Sequence, residues 1–123
     1  MIVVAIVAIL AAIALPSYRK YVLHGNRSAA EQVMLDMSAA QERYMIDNRS
    51  YAASASSLGY AVMPDTVSPN YTMAVATNSG PPPSFNITAT PINSQTGDTD
   101  CNVLTLTSSG SKSASGSSTK CWK

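Results

Sequence analysis

Every position from Met1 to Leu15 is apolar, and Pro16 is the first interruption. A helix that is apolar on all sides must be buried all round. The run is shorter than the about 20 residues of a membrane span. A secretion signal fits its length, and Ala12-Ile13-Ala14 resembles a cleavage site, yet no basic segment precedes the run. The remaining reading is a chain that starts inside a helix. Pro16 cannot donate to the carbonyl of Ala12, four residues earlier. The helical pattern nevertheless resumes beyond it, so Pro16 is expected to kink or loosen one long helix rather than end it.

The continuation is amphipathic. Ala30, Val33, Met37, Ala40 and Tyr44 follow helical spacing and predict the face that a head domain covers. Glu31, Gln32, Asp36, Glu42 and Arg43 fall largely on the opposite side. Ser28 and Glu31 have capping-box spacing, so a second helix starting after Gly25-Asn26 is the competing reading. A single helix reaching to about residue 47 would be about 70 Å long.

From Asp47 to Pro69 the periodicity is weak, and Tyr51, Leu58, Tyr60, Val62 and Met63 are the candidate anchors of a connecting loop. Three alternating segments follow. They pair Tyr71, Met73 and Val75, then Phe85, Ile87 and Ala89, then Leu104 and Leu106. Asn78-Ser79-Gly80 and three prolines mark the first turn, and Thr96-Gly97-Asp98 the second. An antiparallel meander covering the amphipathic helix face is expected, with a short fourth strand near Lys112 to Ala114. The predicted class is therefore α+β: a long N-terminal helix packed on a sheet of three or four antiparallel strands.

Composition changes the picture in two places. Eight Lys and Arg against seven Asp and Glu give a net charge of +1, so no bulk field selects a polyanionic partner. Cys101 and Cys121 are the two cysteines. Beside an apolar start that argues for export, they read as one disulfide rather than two cytosolic thiols. The bond would close the Ser- and Gly-rich stretch from Ser108 to Thr119, otherwise a flexible linker, and stabilise by roughly 3 kcal/mol. The lone histidine, His24, and the lack of CxxC or HExxH spacing argue against a metal site. No acid–His partner accompanies the serines, and neither an enzyme nor a cofactor is expected.

The stretch "MIVVAIVAILAAIALPSYRKY" closely resembles the N-terminal helix of class a type IV pilins. That resemblance favours one continuous helix. It implies that a short segment with a glutamate precedes Met1, its first residue an N-methylated Phe, and that Met1 is internal. The family often has glycine where this chain has Ala8, whereas Pro16 matches. The resemblance implies two regions, a hydrophobic helix over 1–27 and a globular head over 28–123. Met1, Ile2, Val3, Val4, Ile6, Val7, Ile9, Leu10, Ile13 and Leu15 would line first the membrane and then the filament core. Pro16 would loosen the helix in the assembled state.

Two functions compete. One is a structural subunit of a pilus serving adhesion, twitching motility or DNA uptake. The other is a minor pilin or secretion pseudopilin acting as a binding or priming module. The partners implied are copies of the chain itself, inner-membrane lipid before assembly, prepilin peptidase and the assembly machinery, with a host surface or DNA beyond. The head would be periplasmic before assembly and extracellular afterwards. Major pseudopilins tend to hold calcium where pilins have a disulfide, so the cysteine pair favours a pilin. Asp98-Thr99-Asp100 is too sparse for a calcium loop. A DNA-binding surface needs a basic stripe, and Lys112, Lys120 and Lys123 are the candidate contacts.

Overall fold

The computed structural model describes residues 1–122. Helix α1 spans Ile2–Asn48 as one element and contains Pro16. It passes unbroken through Gly25-Asn26, so the Ser28–Glu31 spacing caps no second helix. At its end Arg49 turns into the left-handed region, φ 59°, and its N–H closes on the Met45 carbonyl. Strands β1 (Tyr71–Asn78), β2 (Ser84–Pro91), β3 (Leu104–Thr107) and β4 (Lys112–Ala114) form one antiparallel sheet in that order. This is the expected α+β meander. In the β1–β2 turn Gly80 has φ +78°, and a Cβ there would run into the backbone of Pro82. The β2–β3 connection differs from a simple turn, because Asn93–Gly97 forms a 3-10 helix, here called η2.

The core lies between the middle of α1 and one face of the sheet. Ala30, Met34 and Met37 pack with Phe85, Ile87, Ala89, Leu104 and Leu106. Period two on β2 buries Phe85, Ile87 and Ala89 and leaves Asn86 and Thr90 outside. The buried stripe on α1 is Ala30, Glu31, Val33, Met34, Met37 and Gln41. It is rotated slightly from the expected face, and Ala40 and Tyr44 sit half-buried at its edge. The shift follows from Gln41, whose amide exchanges two hydrogen bonds with the backbone of Ala52, at 2.8 and 2.9 Å. A fully buried glutamine satisfied in this way is as much part of the core as an aliphatic side chain.

In the connecting segment Ala52 and Val67 are the buried residues, and Tyr51 sets its ring edge-on to Phe85 at 4.7 Å. Val62, an expected anchor, is 84% exposed. The Cys101–Cys121 disulfide is formed and buried. It ties down a loop with little apolar content. That loop is held further by Gly116 N–H to the Cys101 carbonyl and Ser118 N–H to the Asp100 carbonyl, both 2.9 Å. A Cβ on Gly116 would strike the Asp100 carbonyl, so only glycine fits this approach.

Candidate functional site

Every residue from Met1 to Val22 is exposed, and burial against the head begins at Leu23. The 18-residue window of highest hydropathy in α1 averages 2.2, and none of it is buried. Monomeric soluble proteins rarely expose more than a few hundred Å² of contiguous apolar surface. Ten large apolar side chains between Met1 and Leu15 stand open, from Met1 at 106% to Ile6 at 51%. Pro16 lies at the end of this rod. One turn is patched locally, since Ser17 donates its hydroxyl to the Ile13 carbonyl at 3.2 Å.

The rod joins the head through a polar joint. Gln95 on η2 is fully buried beneath α1. Its Nε2 donates to the Leu23 carbonyl at 3.0 Å and to the Tyr71 hydroxyl at 2.9 Å. Its Oε1 accepts from Asn26 at 3.1 Å. Arg27 places Nη1 between the two carboxylate oxygens of Asp98, at 2.9 and 3.1 Å, and its Nη2 donates to Nδ1 of His24 at 2.7 Å. Burial pushes the Tyr71 phenol up to about 12, so it stays a neutral hydroxyl.

Glu31 was expected among the polar positions facing water. It is instead turned under the head and 7% exposed. Arg27 Nε lies 3.9 Å from Glu31 Oε1, and both atoms lack a hydrogen-bond partner. Burial raises the Glu31 carboxyl to about 7, against opposing pulls from Arg27 and Lys112, with Asp98 adding to the rise. The unfolded carboxyl, near 4.5, loses its proton first. Between about pH 4.5 and 7 the folded state therefore binds more protons, and stability falls as pH rises. Glu31→Gln is expected to flatten this slope and stabilise residues 16–123 by about 2–3 kcal/mol above pH 7. Urea unfolding from pH 4 to 8 is the check, and an unchanged slope would count against the assignment.

At the far edge of the sheet Lys112 is exposed, with Nζ 5.8 Å from the Trp122 ring. Trp122 Nε1 donates to the Ser113 carbonyl at 2.8 Å. Lys112, Ser118, Thr119 and Trp122 border an open cavity of about 470 Å³. Lys120 is exposed on the same disulfide-bounded loop, and Lys123 lies outside the described residues. The structure thus brings Lys112 to an aromatic ring, an association that spacing did not foretell. Beside the β1–β2 turn Arg49 and Tyr51 border a smaller cavity, about 200 Å³.

Among the described residues no cluster of His, Cys, Asp and Glu can hold a metal ion. A bare apolar rod continuous with the spine of a small, disulfide-closed α+β head is the architecture of a type IV pilin. Residues 16–105 match the family described as type IV minor pilin ComP, DNA uptake sequence receptor, and the chain belongs to that family. It is also similar to a solved type IV pilin from Shewanella oneidensis, with 25% identity and a TM-score of 0.61. That match covers 82% of this chain and 98% of the other. Among curated proteins no relative matches.

Proposed function

We propose that this protein is a subunit of a type IV pilus, held in the inner membrane by its rod before assembly and packed against other pilins through the same surface afterwards. The observation that carries this reading is the rod itself, bare from Met1 to Val22. Lipid and neighbouring rods are equally apolar surroundings, so the exchange of one for the other needs no change in the head. Residues 16–123 alone test the proposal, because without the apolar run they should remain monomeric and enter no filament.

Pro16 gives the rod a second property. The Ala12 carbonyl lacks its usual donor, and close-packed rods can shelter a locally unwound turn. The segment Ile9 to Leu15, helical in the single chain, is expected to loosen in the filament and lengthen the rod. A filament map with unbroken i to i−4 bonding there, apart from the bond proline cannot donate, would defeat this.

Within the pilus, the family match favours a minor subunit that receives DNA. Arg49 beside Tyr51 and Lys112 beside Trp122 are the pairs that suit it, each combining a cation with an aromatic ring. Lys112 and Trp122 lie beyond the matched residues, whereas Arg49 and Tyr51 lie within them. Lys112→Ala should weaken duplex binding uniformly across sequences and lower the log–log salt slope by about 1. Fluorescence anisotropy over a salt series measures both, and an unchanged slope would remove Lys112 from the interface.

A further inference from the structure

The charges on α1 are segregated along its length and around its axis. Lys20 is exposed, at the foot of the head. No carboxylate lies three or four residues from it on either side, where a helical neighbour could pair with it. Across the cleft it borders, Asp98 is already occupied by Arg27, and Asp100 makes no ion pair with Lys20. His24, one turn on, points its Nδ1 to Arg27.

Asp36 is the complementary case. It is exposed and takes only a weak hydrogen bond from Gln32, at 3.2 Å. Other exposed acids on the helix have local relief. Glu42 accepts from the Tyr51 hydroxyl, and Asp47 follows Arg43 by four residues. Arg43 itself is two turns beyond Asp36. Sixteen residues separate Lys20 from Asp36, which places them on nearly opposite flanks of the helix and about 24 Å apart along it.

Opposite flanks are what a heterologous, open-ended contact requires, since each copy presents two different patches. We propose that Lys20 of one copy pairs with Asp36 of a second copy whose parallel helix is displaced by about 24 Å. The inference rests on the reading of the rod as a polymerising surface. Apolar packing supports the same stagger. Tyr18 and Val22 lie eighteen and fourteen residues before Asp36, whole turns to within about 40°, and therefore on its flank. Both are exposed, at 68% and 38%. On the second copy they form an apolar strip beneath Asp36, against which the rod of the Lys20-bearing copy lies. The ion pair fixes the axial register of a contact that apolar packing alone leaves free to slide.

The test is zero-length carbodiimide cross-linking of the full chain in assembled filaments, using a mixture of ordinary and 15N-labelled copies. The expected product is a Lys20–Asp36 amide joining one labelled and one unlabelled peptide. Lys20→Glu and Asp36→Lys should each lower filament yield about fivefold, and the double swap should restore it. Filaments in which Lys20 links to another carboxylate, or to Asp100 of its own chain alone, would overturn this contact while leaving the polymer reading intact. A chain that forms no filament at all would overturn both.

Discussion

Residues 16–123, freed of the apolar run, are expected to stay soluble and monomeric at concentrations where the full chain needs detergent or a filament. Ten large side chains are removed, each worth about 1.5–3 kcal/mol when fully buried. Their gross contribution, on the order of 15–30 kcal/mol, exceeds the about 4–15 kcal/mol that association costs in lost freedom. Burial therefore wins in the full chain and has no counterpart in the fragment. The head should survive the cut, because every residue of its core lies between Ala29 and Trp122. Sedimentation of the fragment against the detergent-solubilised full chain measures the difference. A fragment that still built normal filaments would remove the rod from the assembly mechanism.

Arg27→Ala should destabilise that fragment by about 3–5 kcal/mol, the range for breaking one side of a buried ion pair. Arg27 is the cation within reach of two buried carboxylates, bonding Asp98 at 2.9 Å and facing Glu31 at 3.9 Å. Without it both lie under the head with no compensating charge at contact distance. Arg27 also opposes the burial that raises the Glu31 carboxyl, so its loss pushes that carboxyl higher still. The added cost is then greatest at neutral pH and above, and shrinks as acid protonates Glu31. Arg27→Lys keeps the charge but not the planar guanidinium that reaches Asp98, His24 and Glu31 with three different nitrogens, and should recover only part of the loss. Chemical denaturation at pH 5 and pH 8 separates the two effects. A penalty independent of pH would place the role of Arg27 in packing alone.

Much of the molecule follows from pattern alone. Fifteen consecutive apolar residues force a segment that water cannot solvate. Period two in β2 marks its buried face, because adjacent strand residues must point to opposite sides. Two cysteines around a loop of polar and small residues require a covalent tie, since that loop has little apolar surface to hold it.

What pattern could not decide is where polar groups go. By periodicity Glu31 belongs with the solvent-facing positions and Gln41 has no apolar rank. Both are buried: Gln41 because the Ala52 backbone, eleven residues on, closes on its amide, and Glu31 because the head folds over its side of the helix, with Arg27, one turn back, facing it at 3.9 Å. Gln95 joins Leu23 and Asn26 across 72 and 69 residues of chain and Tyr71 across 24, and no local signal announces a bond between segments that far apart. Length and apolarity by themselves determined that this protein carries a rod that must be covered. Only the tertiary structure decided how the head grips it, because hydrophobic burial is non-directional and legible as periodicity, whereas a buried hydrogen bond exists only once both partners are in place.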